Sequence, residues 1–164
     1  ILEKMKHTDN TDKEAVEEAI AIRAKKYSIL KNAPGNDIIF DFDTSLSFEG
    51  SSGPYLQYSY ARARSVLEKA KTKGIIASIT DAPTETGDIE RLLYQFPEII
   101  SRARKENASQ YIVTYLTEFA QAFNNFYAKE HIADSPYRLA LTTAVAIILK
   151  NGLWLLGIKA PERM

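Results

Sequence analysis

One segment of this 164-residue chain reads like a β-strand, and it constrains the fold more than any other feature. Residues 38–48, "IIFDFDTSLSF", alternate apolar with polar side chains, which is the period of a half-buried strand. No second segment in the sequence offers a strand to pair with it. We therefore expect this segment to be extended or to form a short turn of helix, and we expect the fold to be all-α.

Apolar residues recur at three- and four-residue steps along most of the chain, which predicts a bundle of four to five helices with short connections. Pro97 lies within one helical pattern and is expected to kink it. Asn151 and Gly152 are expected to end or bend the last helix. Five helices are predicted. The first starts at Asp12, the second runs from Pro54 to about Lys73, and the third starts at Asp88 or its neighbour; the fourth covers residues 110–127, and the fifth spans about Ser135–Lys150.

The composition excludes several kinds of active site. The sequence has no cysteine, so it has no thiol nucleophile, disulfide or cysteine-based zinc site. Its two histidines, His7 and His131, stand far apart and alone. Asp41 and Asp43 lack a third ligand at useful spacing and are interpreted as turn and cap carboxylates. No glycine-rich loop is followed by Lys-Ser or Lys-Thr. We therefore predict no catalytic, cofactor-binding or metal-binding residues in this sequence.

The most apolar run, residues 139–149, has eleven residues, whereas a membrane-spanning helix needs about 20. This run is therefore predicted to be a buried helix. No signal peptide is visible in the sequence, and we expect a cytoplasmic, monomeric protein with no membrane partner. The net charge is zero, which argues mildly against strong binding to nucleic acid.

The helix that starts near Pro54 carries two distinct faces. At about 100° per residue, a buried seam is predicted from Leu56, Tyr60, Ala63, Leu67 and Ala70. A second face combines rings and cations from Tyr55, Tyr58, Arg62 and Lys69, and Arg64 points elsewhere. Either this face is ordinary bundle surface, or it binds unpaired nucleic acid through stacking rings and cations. Tyrosine and arginine are also enriched in protein interfaces, so a protein-binding helical adaptor is the alternative hypothesis.

The later aromatic helix is predicted to fill the core. Its rings recur at helical spacing, which is typical of an interior. Phe119, Phe123 and Phe126 are expected to be core residues, whereas Tyr127 falls off their face.

Five motifs follow one another over nearly the whole chain: "AIAIRAKKYSIL…DIIFDFDTSLS", "FEGSSGPYLQYSYARARSVL", "LLYQFPEIISRA", "YIVTYLTEFAQAFNNFY" and "RLALTTAVAIILKNGLWLLGIKAPERM". In this order they resemble the C-terminal, DALR-type anticodon-binding domain of arginyl-tRNA synthetases. Departures include Ala21 and Arg23, where the family usually has glycine, and Tyr137-Arg138-Leu139-Ala140, where the wider class has Asp-Ala-Leu-Arg.

The resemblance implies a domain organisation and a function. Residues 1–50 would be a helical connector from an absent catalytic domain, and residues 51–164 the anticodon-binding bundle. Its partners would be the anticodon loop of tRNA(Arg) and the catalytic domain of the parent class I arginine–tRNA ligase. That catalytic domain would bind ATP; this chain would hold no cofactor, and it lacks the family's ATP-binding motifs and would be inactive alone. Apolar residues Ile20, Ile38 and Phe40 would face the catalytic domain, or support weak dimerisation without it.

The resemblance also implies which residues contact tRNA. Tyrosines would stack on unpaired anticodon bases, Arg62 would take a phosphate or a base edge, and Lys69 would be a peripheral phosphate contact. The last residue, Met164, would line the same pocket. The complete predicted tRNA-binding set is Tyr55, Tyr58, Arg62, Lys69, Tyr127 and Met164.

Overall fold

The computed structural model describes residues 21–48 and 50–162, and over these residues the fold is all-α without a strand, as predicted. Helix α1 is described from residue 21 and ends at residue 30. The predicted start of this helix at Asp12, together with His7 and Ile20, lies outside the described residues. The remaining elements are α2 (Phe42–Leu46), α3 (Gly53–Thr72), α4 (Asp88–Glu106), α5 (Gln110–Lys129), a 3₁₀ turn (Ile132–Asp134) and α6 (Pro136–Leu155).

The strand-like segment forms no strand: residues 38–41 have no regular secondary structure, and the one-turn helix α2 follows them. Asp41 caps this helix, because its carboxylate accepts hydrogen bonds from the Thr44 backbone N–H at 2.7 Å and from the Thr44 hydroxyl at 2.8 Å. These bonds satisfy a backbone donor that the first turn leaves unpaired. The backbone bond is the main cause that lowers the pKa of Asp41. The interpretation of Asp41 as a cap is therefore confirmed.

Helix α3 begins one residue before the predicted start. Ser52 is its N-cap, and its hydroxyl accepts a hydrogen bond from the Tyr55 backbone N–H at 3.0 Å. Pro54 occupies the first turn, where its missing N–H removes no helical bond. A side chain at Gly53 would lie 3.1 Å from the backbone oxygen of Arg23. This glycine therefore allows α1 to approach the start of α3 closely.

The predicted end of the last helix, α6, is wrong. The helix continues through Asn151 and Gly152 to Leu155, so these two residues do not end it. Gly152 is buried, and a Cβ there would lie 2.4 Å from Leu116 Cδ2, so this glycine serves close packing of α6 on α5. The helix ends at Leu155, and Gly157, just beyond its C-cap residue, has a φ of +65°. The Ile158 N–H donates to the Leu153 carbonyl at 2.9 Å, as in a Schellman motif.

Within the described part of the chain, α6 is the one helix long and apolar enough to cross a membrane by length and composition. The apolar run predicted from the sequence, residues 139–149, covers only part of this helix, which spans Pro136–Leu155. Helix α6 packs against α3, α4 and α5, and 44% of its apolar window is buried in the bundle. Its apolar character is accounted for by its place in the core.

The core lies where α3, α5 and α6 meet, and α4 covers α5 and α6. Phe119 and Phe123 are completely buried, as predicted. Phe126, also predicted as a core residue, is only half-buried and packs on the edge of the core. Of the seam predicted on α3, Leu67 is half-buried and packs on the core, and the fully buried members are Leu56, Tyr60, Ala63 and Ala70. Helix α4 is continuous through Pro97, and the kink stays a prediction.

Candidate functional site

The structure brings Tyr58 and Arg62 of α3 against Tyr127 of α5. The Arg62 guanidinium carbon lies 4.5 Å from the centre of the Tyr58 ring and 4.8 Å from that of Tyr127. Both distances lie within the range of attractive cation–π contacts. The two rings stay 38% and 39% exposed, so they hold the cation and still present surface to solvent.

These residues line a cavity of about 460 Å³, which we call the tyrosine–arginine groove. One wall comes from α3, another from Tyr127 of α5, and Glu162 closes one end. Lys69 is exposed and also lines the groove. The complete lining is Tyr58, Ala61, Arg62, Ser65, Val66, Glu68, Lys69, Tyr127 and Glu162.

Asn124 on α5 joins the residues of the groove by hydrogen bonds. Its Oδ1 accepts from Arg62 Nη1 at 2.5 Å. Its Nδ2 donates to the hydroxyl of Tyr55 at 3.0 Å and to that of Ser59 at 2.8 Å. Arg62 Nη2 also donates to the Tyr58 hydroxyl at 2.9 Å. The Arg62 side chain is thus held by one residue of its own helix and by one of α5.

The predicted residues differ in how they meet the groove. Tyr58, Arg62, Lys69 and Tyr127 line it. Tyr55 is half-buried, packs against the core and points its hydroxyl at Asn124, so it lies behind the groove and not along it. Met164 lies outside the described residues.

Sequence reasoning missed Asn124 and Glu162. Asn124 lies between Phe123 and Phe126 in the sequence. A polar residue among aromatic ones was the only sign that this position has a role other than core packing. Helical spacing within α5 does not reveal which side chains of α3 it meets. Glu162 lies near the end of the chain, where the periodicity gave no structural information. Both residues act through contacts that are remote in sequence.

The tail after α6, residues 157–162, is attached along α3. Gln57 Nε2 donates to the backbone oxygen of Lys159 at 2.5 Å. The carboxylate of Glu162 accepts from the Tyr60 hydroxyl at 3.2 Å and from Arg64 Nε at 2.8 Å. Partial burial opposes ionisation of Glu162, but the bonds from Tyr60 and Arg64 outweigh it and lower its pKa. The attached tail places Glu162 at the groove.

The charges of the groove are mixed. Arg62 and Lys69 supply positive charge, and Glu68 and Glu162 supply negative charge. Glu162 forms an ion pair at 2.8 Å with Arg64, which does not itself line the groove. A mixed groove of this kind attracts phosphate less than a basic patch does. Its exposed rings and fixed guanidinium suit an aromatic, hydrogen-bonding ligand better than a simple anion.

A larger cavity, of about 670 Å³, lies away from this groove, between the segment 81–90 and the ends of α5 and α6. Its lining is rich in carboxylates, including Asp81, Glu85 and Glu90. The Tyr137 hydroxyl donates to Glu90 at 2.6 Å, which with burial raises the pKa of Tyr137 to about 12. Among residues 21–48 and 50–162, no three histidine or carboxylate side chains are placed to hold a metal ion. His131 is exposed and occupies the N-cap position of the 3₁₀ turn without a capping hydrogen bond from its side chain.

Comparison with known proteins agrees on one family. The family model for the DALR anticodon binding domain matches residues 56–164. The arginine–tRNA ligase of Streptococcus pneumoniae strain Taiwan19F-14 is 42% identical over 166 aligned residues, which are 97% of this chain and 29% of that protein. The ligase of strain Hungary19A-6 is 41% identical over the same shares. The chain thus spans less than a third of the length of these relatives.

Solved structures give the same answer. The arginyl-tRNA synthetase of Thermus thermophilus superposes with a TM-score of 0.76 at 33% identity, over 97% of this chain and 28% of that one. The arginyl-tRNA synthetase of Plasmodium falciparum gives 0.77 at 25% identity, over 94% of this chain and 29% of that one. The chain therefore belongs to the DALR anticodon-binding domain family. Nothing in these matches supports the adaptor hypothesis.

Proposed function

We propose that this chain recognises tRNA(Arg) by its anticodon loop, as part of an arginine–tRNA ligase. The observation that carries the proposal is the tyrosine–arginine groove, with Arg62 held 4.5 Å and 4.8 Å from two half-exposed tyrosine rings, in a chain of this family. Proteins recognise RNA loops by stacking splayed bases on aromatic rings and on arginine, and by hydrogen bonds to base edges. The groove offers both kinds of contact.

The geometry of the groove supports a role for each of its residues. Tyr58 and Tyr127 offer their exposed ring surfaces to unpaired bases, at about 1–3 kcal/mol per stacked base. Two bonds to Asn124 and Tyr58 fix the Arg62 guanidinium, and its other N–H groups remain for a phosphate or a base edge. Lys69 binds a backbone phosphate at the side of the groove. Tyr55 supports the site from behind, and the family resemblance adds Met164, which lies outside the described residues.

The chemistry of aminoacylation belongs to the rest of the ligase. Arginine and ATP bind to a catalytic domain that residues 1–50 connect to the bundle, and this chain alone does not attach arginine to tRNA. The enzyme works in the cytoplasm, and this domain acts as a monomer. Ile38 and Phe40 are 48% and 36% exposed, which supports their contact with that catalytic domain.

A binding titration tests the proposal. The chain is titrated with a tRNA(Arg) anticodon stem-loop, and with the same stem-loop carrying a changed middle anticodon base, at two salt concentrations. We expect tighter binding to the cognate loop, with an affinity that falls as salt rises because cations are released from the phosphates. Equal affinity for both loops would leave only nonspecific binding, and no binding at low salt would refute the proposal.

A further inference from the structure

We infer that Asn124 is the positioning residue of the groove: it orients the Arg62 guanidinium for RNA through a hydrogen bond from α5. The inference rests on the proposed function, and it names the residue on which the preorganisation of that site depends. Asn124 itself is half-buried and lies behind the groove, so it acts on the ligand through Arg62.

The orientation of the Asn124 amide follows from the chemistry of its partners. A guanidinium can only donate hydrogen bonds, so the Asn124 atom that faces Arg62 Nη1 at 2.5 Å must be the carbonyl oxygen. The amide nitrogen then faces the hydroxyls of Tyr55 and Ser59, at 3.0 Å and 2.8 Å, and both hydroxyls can accept. All three partners are therefore compatible with this one orientation of the amide. A flipped amide would place the Nδ2 donor against the Arg62 donor and lose the hydrogen bond.

Asn124 is also better anchored than Tyr58, the other residue that forms a hydrogen bond with Arg62. It follows Phe123, which is completely buried, on a helix whose inner face forms the core. The other hydrogen-bond partner of Arg62 is the hydroxyl of Tyr58, which lies one turn before Arg62 on α3 and belongs to a ring that is 38% exposed. A long arginine side chain loses much conformational freedom when it is fixed. Asn124 removes that freedom before RNA arrives, so binding does not have to.

A double-mutant cycle tests the inference, with the tRNA(Arg) anticodon stem-loop as the probe. Asn124→Ala is expected to weaken binding about tenfold, the effect of one hydrogen bond to a charged group. In an Arg62→Ala background the same substitution is expected to change the affinity less than twofold, because its target is gone. If Asn124→Ala costs the same factor in both backgrounds, or has no effect on wild-type protein, the inference is overturned.

Two further measurements separate positioning from simple stabilisation. Ser59→Ala removes a different partner of Asn124 and leaves Arg62 Nη1 bonded, so its affinity should stay within about twofold of wild type. In NMR spectra of the free protein, hindered guanidinium rotation should give resolved Arg62 Nη–H signals, which Asn124→Ala should abolish. Unchanged signals in the variant would overturn the inference.

The failure of this inference is distinguishable from that of the proposed function. If the wild-type chain does not bind the stem-loop at all, the proposed function fails and the inference fails with it. If wild type binds and discriminates between loops while the cycle shows no coupling of Asn124 to Arg62, only the inference fails.

Discussion

The guanidinium carbon of Arg62, on α3, lies 4.8 Å from the centre of the Tyr127 ring, on α5. This contact joins two helices that are packed together over the buried rings of Phe119 and Phe123. Because Asn124 of α5 bonds the same guanidinium, the geometry of the groove depends on how α3 and α5 pack. Substitutions in the core are therefore expected to affect binding through this shared interface.

Loss of a groove ring should weaken RNA binding. Tyr58→Ala and Tyr127→Ala each remove one exposed stacking surface and one contact of Arg62, at about 1–3 kcal/mol per base. The expected result is an affinity for the anticodon stem-loop lowered by about 5- to 150-fold, measured by fluorescence anisotropy. Tyr94→Ala is the matched control, since Tyr94 is 89% exposed on α4 and does not line the groove. Equal losses from all three variants would contradict the assignment of the site.

Gly152 should not tolerate a side chain. In Gly152→Ala the new Cβ would meet the completely buried Leu116 at 2.4 Å, and such overpacking costs about 1–3 kcal/mol. The gain in helix propensity, about 1 kcal/mol, offsets part of this. We expect a lower midpoint of thermal unfolding, followed by circular dichroism. Asn151→Ala changes the exposed neighbour and should have little effect. A Gly152→Ala variant more stable than wild type, by the full gain in helix propensity, would refute the close approach of α6 and α5.

The N-cap of α3 should contribute to both stability and the site. Ser52→Ala removes the acceptor of the Tyr55 backbone N–H, and loss of such a cap costs about 0.5–2 kcal/mol. The measurement is the free energy of unfolding in urea. Ser52→Asp keeps an acceptor but brings a carboxylate into a completely buried position, so Ser52→Thr is the better conservative control. An alanine variant no less stable than wild type would argue against the cap.

The attachment of the tail should depend on pH. The pKa of Glu162 is lowered in the folded protein, since the bonds from Tyr60 and Arg64 outweigh its partial desolvation. A lowered pKa contributes stability that is present above the pKa of the unfolded chain and is lost as the pH falls through the folded value. Thermal midpoints measured from pH 7 to pH 3 should show wild type losing its advantage over Glu162→Gln. Glu98→Gln, on the exposed side of α4, serves as the control. A wild-type advantage that persists at low pH would contradict this account.

Much of the fold could be predicted from local sequence. The period of the apolar residues indicated the helices, and Pro54 marked the start of α3 within one residue. The lack of a pairing partner for residues 38–48 excluded a sheet. The error at Gly152 has a physical cause: a glycine can end a helix or allow two helices to approach, and only the distance to Leu116 distinguishes these uses.

The candidate site was only partly predictable. Helical spacing placed Tyr58 and Arg62 on one face of α3, and the family resemblance added Tyr127. The contacts that fix these residues come from Asn124 and Glu162, which lie in other elements of the fold. Such contacts between distant segments are set by tertiary packing, so a single sequence without the fold does not reveal them. Tyr55 illustrates the same limit, because its hydroxyl points to Asn124 behind the groove.

The most direct test of the central claim is to observe the tyrosine rings themselves. The chain would be labelled with ¹³C on its nine tyrosine rings and titrated with the tRNA(Arg) anticodon stem-loop, following the ring signals by NMR. The account predicts large shifts for Tyr58 and Tyr127, which face the groove, and none for Tyr94. Shifts at Tyr94 with unchanged Tyr58 and Tyr127 would place the RNA on another surface and contradict the account.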